Sequence, residues 1–282
     1  MSYFSKKHLK RRNQFRELGA TMAEQGYVIL NGFFDAKDLS AFDAELKYIL
    51  ANRNSKAGNM TIDVLDGPLM QQRLLLQQAP EEALFVPYKI NDMYLESEAC
   101  LNLNLNHELR ALLKSLLDGL PMVVNSLSFT QGSQQPHHFD YYYMPPFVQD
   151  KMVVSSICLE NQTEDSGPVS YYPESHKIPP YRFSDGGVGV IADEMDRAKA
   201  YTLAEIEKRG LVEESFIGKA GDVFLWHGSL YHRGRPILNT RATRKTLVTH
   251  YWRSCDVAKK HVAKTSNGGL YFTREHAPAN SH

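Results

Sequence analysis

The sequence predicts a mainly β chain with flanking helices, an α+β protein whose second half is a double-sheet jelly roll. Beyond residue 120 the chain becomes a series of short β-branched and aromatic runs: "MVVNSLSFTQ", "HHFDYYYM", "KMVVSSICLE", "GPVSYY", "GDVFLWH" and "KTLVTHYW". Pro, Gly and Asp separate these runs, as in strands joined by turns. Antiparallel strands in this number fit a double-sheet jelly roll. Before residue 120 the apolar residues recur instead at helical spacing.

Taken in order, Lys7 to Gln25 reads as a helix with Leu9, Phe15, Leu18 and Met22 as its buried stripe, stopped by Gly26. "YVIL" is a short strand. Asp35 is placed to cap a second helix, in which Leu39, Phe42, Leu46 and Leu50 repeat at helical spacing. Residues 55–91 are irregular, broken by Gly and Pro, and read as loop that covers a site. "NHELRALLKSLLDGLP" is again helical, stopped by Gly119 and Pro121. Among the later strands, Asp193 to Arg209 reads as a helical insertion with a charged, solvated face. The expected organisation is one domain over 1–282. A helical region, 1–120, packs on a jelly-roll core, 121–254, and a C-terminal extension follows over 255–282.

Composition excludes some functions. Lys plus Arg equals Asp plus Glu at 32 each, so no global field draws the chain to nucleic acid or an anionic membrane. The basic start "MSYFSKKHLKRRNQF" lacks the apolar core of a secretory signal, and no later apolar run reaches spanning length. The expectation is a soluble cytoplasmic protein. Cys100, Cys158 and Cys255 are widely spaced and odd in number, which fits reduced thiols, with Cys158 as core.

The chemistry lies in the second half. If "HHFDYYYM" is a strand, His138 and Asp140 share one face and Phe139 takes the other. A histidine and a carboxylate so placed hold one metal, and "GDVFLWHGSLYHRGRP" offers His227 and His232 as the third ligand of a facial triad. Three positions of an octahedral iron then stay open, which suits a bidentate cosubstrate and dioxygen. In "RKTLVTHYW", Arg244, Thr246, Val248 and His250 share a face. An arginine buried there forks onto the far carboxylate of 2-oxoglutarate, and Thr246 adds a hydroxyl. Arg241 competes for the same role. His137 has the wrong parity for a ligand and reads as a supporting residue; His176 and Lys177 read as scaffold.

"QGYVILNGFFD", "HHFD", "SGPVSYYPESHK", "GDVFLWHGSLYHRGR" and "RKTLVTHYW" come in the order found in the phytanoyl-CoA dioxygenase family. Over Gln25 to Arg253 the chain resembles that family. The resemblance implies an Fe(II)- and 2-oxoglutarate-dependent oxygenase on a double-stranded β-helix, with dioxygen as second cosubstrate. It implies His138, Asp140 and His232 as the catalytic iron ligands, His227 as a non-ligand histidine, and Arg244 as the 2-oxoglutarate anchor. Where the family usually writes His-Gly-Ser-Gly, this chain has His232-Arg233-Gly234-Arg235, and its arginine lies one position further along. Related halogenases carry a small residue in place of the carboxylate, so Asp140 favours hydroxylation over chlorination. The implied reaction hydroxylates an unactivated C–H of a small or medium metabolite and releases succinate and carbon dioxide.

By alternation Tyr142 shares the face of His138 and Asp140, which makes it a candidate for lining the substrate, while Tyr141 and Tyr143 turn away. Arg182 and Arg235 are further substrate candidates. Residues 178–215, where "SDGGVGV" precedes the helical insertion, are a candidate lid, as are 55–91. A competing reading is a non-catalytic jelly-roll module that holds a metal or ligand. Within the enzyme reading, desaturation or cyclisation is the alternative outcome.

Overall fold

The computed structural model describes residues 3–5 and 12–279 of the chain. Five strands precede residue 120: β1 (Tyr3–Ser5), β2 (Tyr27–Asn31), β3 (Thr61–Val64), β4 (Arg73–Leu75) and β5 (Tyr88–Asn91). Then come β6 (Pro121–Phe129), β7 (Met152–Cys158), β8 (Val169–Tyr171), β9 (Glu214–Phe216) and β10 (Val223–His227). The last are β11 (His232–Gly234), β12 (Thr246–Arg253), β13 (Val262–Lys264) and β14 (Leu270–Phe272).

These strands form a double-sheet jelly roll. The major sheet runs β1-β2-β10-β7-β12-β6-β5-β3-β4, and the β13–β14 hairpin joins it through β14 on β6; the minor sheet is β11-β8-β9. Strand alternation gives the major sheet two faces. Val153, Ile157, Val223, Leu225, Leu247 and Tyr251 face outward and pack with helix residues such as Phe42, Leu109 and Leu113 in one buried cluster. Met152, Val154, Cys158, Phe224, Trp226 and Val248 face inward, toward Val169, Tyr171 and Phe216 of the minor sheet, in a second cluster.

The helices follow their periodicity. Arg12–Gln25 buries Leu18 and Met22 with Phe15 half-buried, while Leu9 lies outside the described residues. Gly26, at φ +81°, turns the chain out of this helix in the left-handed region that glycine adopts freely. Asp35 caps Ala36–Ala51: its carboxylate accepts from the Asp38 amide at 2.9 Å, and the Asp38 carboxylate accepts from the Asp35 amide at 3.0 Å. Ile49, rather than Leu50, completes the fully buried stripe with Leu39, Phe42 and Leu46.

Three segments differ from expectation. Residues 55–91 are not a covering loop; they supply β3, β4 and β5 to the major sheet. The expected C-terminal extension likewise contributes a hairpin whose β14 pairs parallel with β6. "HHFDYYYM" is not a strand. His138 forms an isolated bridge with His232, and Asp140–Tyr142 is a turn of 3-10 helix, with the amides of Tyr143 and Met144 donating to the Asp140 carbonyl.

Candidate metal centre

The bridge at His138 sets the centre. The amide of His138 donates to the carbonyl of His232 at 2.9 Å and the amide of His232 donates back at 3.1 Å. Directly paired residues share a face, and the two imidazole centroids lie 4.4 Å apart. Each Nδ1 is bound to a carbonyl two residues back, His138 to Pro136 at 2.8 Å and His232 to Leu230 at 2.9 Å. A carbonyl only accepts, so each Nδ1 carries the proton and each Nε2 keeps a free lone pair. The turn that follows His138 brings in Asp140, whose Oδ1 lies 3.8 Å from both Nε2 atoms. One ligating atom from each of the three residues falls within 4.8 Å of the others.

Charge and support fit a divalent cation. Burial raises the Asp140 carboxyl, but His232, His250 and His138 more than reverse this and hold it below the usual carboxylate range. Burial, with His232 adding, lowers His138 to about 4, so its ring is neutral near pH 7. A carboxylate and two imidazoles with free lone pairs are the donor set for iron in a facial triad. Asp140 Oδ2 accepts from the Trp226 indole at 2.7 Å, and His250 Nε2 lies 3.3 Å from Oδ1. Such outer partners fix a ligand's orientation.

Arg244 and Thr246 are both buried. The Arg244 Nη1 donates to the Gly167 carbonyl at 3.1 Å, and burial lowers its guanidinium to about 10. Its Nε, like Thr246 Oγ1, is buried without a partner. Gly167 has φ +73°, and a Cβ there would sit 2.9 Å from the Arg235 carbonyl, which accounts for glycine in "SGPVSYY". The two unused groups lie two residues apart in the chain, and a guanidinium and a hydroxyl are donors that suit a carboxylate. Arg241 is exposed, which leaves Arg244 as the arginine of this face.

Other candidates fall elsewhere. Tyr142 packs among Phe139, Tyr141 and Phe183 in the inner aromatic cluster. Its neighbour Tyr143, 58% exposed, is the one whose ring edge meets His138, at 5.8 Å; the turn at Asp140 breaks the strand alternation on which the opposite expectation rested. Arg182 is exposed and donates to the Gly186 carbonyl. Arg235 pairs with Glu164 and Ser215 at the surface, and neither arginine has a contact with the triad. His227 is bound by the Ser229 amide at 3.1 Å and faces His176 rather than the centre. His137 binds Glu213 at 2.8 Å and stacks on Tyr231.

Sequence reading missed Trp226 and Lys89. Alternation within "VFLWH" turns Trp226 inward with Phe224, but nothing in the spacing links it to Asp140. Lys89 sits on the inward face of β5, in register with Phe129 and through it with Thr246.

A two-histidine, one-carboxylate cluster inside a jelly roll defines the class of non-haem iron oxygenases. The chain belongs to the phytanoyl-CoA dioxygenase (PhyH) family, whose profile matches residues 22–246. Its fold is similar to that of the non-haem alpha-ketoglutarate-dependent carbocyclase SnoK from nogalamycin biosynthesis, at TM-score 0.65 and 16% identity over 90% of this chain and 88% of that one. It is also similar to the epimerase SnoN of the same biosynthesis, at 0.63 and 17% over 96% and 97%. EctD from S. alaskensis, solved with 2-oxoglutarate and 5-hydroxyectoine, aligns at 0.60 and 17% over 88% and 78%. No curated protein matches the sequence at a significant level. No helix among the described residues is long and apolar enough to cross a membrane.

Proposed function

We propose that this protein is an Fe(II)- and 2-oxoglutarate-dependent dioxygenase that hydroxylates an unactivated C–H of a small or medium metabolite. The observation that carries the reading is the pairing of two sites in one fold. His138, Asp140 and His232 converge within 4.8 Å, and a buried arginine with an unpartnered Nε lies beside an unpartnered threonine hydroxyl.

Iron and 2-oxoglutarate, when bound, supply the activation of dioxygen for C–H oxidation, with succinate and carbon dioxide as coproducts. The chain's own residues position and shield. His138 and His232 present Nε2 lone pairs whose direction the Pro136 and Leu230 carbonyls fix. Asp140 presents Oδ1 while Trp226 holds Oδ2. Arg244 and Thr246 would hold the far carboxylate of 2-oxoglutarate through the guanidinium Nε and the hydroxyl, both free of other partners. Phe224, Trp226 and Val248 keep water from the inner face.

The carbocyclase and epimerase among the structural neighbours favour a second reading, in which the same cofactors cyclise or epimerise the substrate. Product mass separates the outcomes: hydroxylation adds one oxygen, cyclisation by dehydrogenation removes two hydrogens, and epimerisation leaves the mass unchanged.

The test is anaerobic titration of the apoprotein with Fe(II) and then 2-oxoglutarate, read by the weak visible charge-transfer band of the chelate. The band is expected only after both additions, and at a higher 2-oxoglutarate requirement in Arg244→Ala. No band at saturating cosubstrate would overturn the oxygenase reading in favour of a non-catalytic module.

A further inference from the structure

We propose that Asn125, His250 and Trp252, on the inner face of β6 and β12 beside the metal centre, form a subsite for a neutral, hydroxyl-bearing ring of the substrate. The inference rests on the oxygenase reading, because it places a substrate next to the triad.

The local backbone marks the place. The register between β12 and β6 shifts between His250 and Tyr251, a β-bulge, and bulges re-aim side chains next to active sites. His250 lies directly opposite Asn125 in that register, so the two side chains share the inward face.

Each residue there has a polar atom without a partner. Asn125 is 8% exposed, and its Nδ2 donates to Asp92 Oδ1 at 2.8 Å. A carboxylate only accepts, which fixes the amide's orientation and leaves Oδ1 buried and unpaired. His250 is 2% exposed. Its Nε2 lies 3.3 Å from Asp140 Oδ1, and its Nδ1 is buried and unpaired. Trp252 follows on the same face, and its buried indole N–H also has no partner. These three adjoin along β6 and β12, and His250 links them to the triad through Asp140.

Their chemistry narrows the ligand. Asn125 Oδ1, an acceptor that cannot become a donor, disfavours an anion. A cation is disfavoured by Lys89, which shares the inward face on β5. It lies 3.5 Å from Asp63, whose carboxylate already holds Arg73 through two bonds, so two cations share one anion. The nearby Asp92 is matched by Arg274 at 2.6 Å. A neutral hydroxyl remains: it donates to Asn125 Oδ1 and accepts from Trp252 Nε1, and an adjacent hydroxyl on the ring, able to donate or accept, meets His250 Nδ1. Phe147, 70% exposed and edge-on to Trp252 at 5.6 Å, and Tyr143 beside His138 offer aromatic surface for the ring's apolar face.

The test is anaerobic calorimetric titration of the Fe(II)- and 2-oxoglutarate-loaded protein with methyl glucoside and myo-inositol, against glucuronate and glucosamine as charged counterparts. At least one neutral polyol is expected to bind, with both charged probes weaker. Asn125→Ala should weaken that binding about tenfold, as for loss of one buried hydrogen bond. Trp252→Phe keeps an aromatic ring against Phe147 and removes the N–H donor, so it reads the same subsite should Asn125→Ala prove unstable. Preference for a charged probe, no binding of either neutral one, or parental affinity in both variants would overturn the subsite. The visible band of the same sample reports the oxygenase reading separately. A band without polyol binding defeats the subsite alone, and no band defeats both.

Discussion

The minor sheet and the inner face of the major sheet meet at one centre but are finished to different degrees. On the minor-sheet side the hydrogen bonds around the histidine ligands are closed: His138 and His232 bond each other through the backbone, and each Nδ1 has its carbonyl. On the major-sheet side polar atoms are left open: Arg244 Nε, Thr246 Oγ1, Asn125 Oδ1, His250 Nδ1 and Trp252 Nε1. Satisfied groups fix geometry, whereas open ones await a partner. On the proposed function, the preformed side holds the metal and the incomplete side holds the organic ligands.

Substitutions on the two sides should therefore fail differently, and the largest effect belongs to the closed side. His138→Ala or Asp140→Ala is expected to lower turnover on the order of a thousandfold or more with an unchanged far-UV spectrum. Parental turnover in both variants would break the comparison at its root. On the open side, Arg244→Ala should raise the 2-oxoglutarate requirement about 100-fold, the scale of removing a buried charged partner, with iron binding kept. A thermal shift gives an independent reading: 2-oxoglutarate with Fe(II) should raise the melting temperature of the parent and leave that of Arg244→Ala nearly unmoved. Trp226→Phe keeps the inner packing but frees Asp140 Oδ2. Metal affinity should fall about tenfold, measured by competition with a chelator, while the 2-oxoglutarate requirement at saturating iron stays near the parental value.

How far the two sides were legible follows from the same contrast. The strands β6, β7, β10 and β12 announce themselves through apolar, β-branched and aromatic runs, and the triad and Arg244 lie in the short motifs between or just before them. β3 and β5 are hidden because their inward positions are polar: Thr61, Asp63, Lys89 and Asn91 leave Ile62, Val64, Tyr88 and Ile90 to signal a buried face. In "HHFDYYYM" aromatic strand propensity outweighs a turn that depends on tertiary contacts, so alternation put Tyr142 rather than Tyr143 beside His138. Alternation within β12 did place His250 on the face of Arg244. Its approach to Asp140 depends on where the minor sheet sits, which local pattern does not encode.

Thr246 gives the smallest effect and the sharpest test, because two properties should move in opposite directions. Its hydroxyl is fully buried with no partner, on the same face as the unused donor of Arg244. Valine keeps the branched shape and removes only the polar atom. If that hydroxyl serves the cosubstrate, Thr246→Val without ligand should be as stable as the parent or more so, since an unpaired buried polar group is gone. Its 2-oxoglutarate requirement should rise about fivefold, the scale of one neutral hydrogen bond. A variant that loses stability while its 2-oxoglutarate requirement holds would show the hydroxyl to be a structural group. Thr246 would then join the closed side, leaving Arg244 to hold the carboxylate alone.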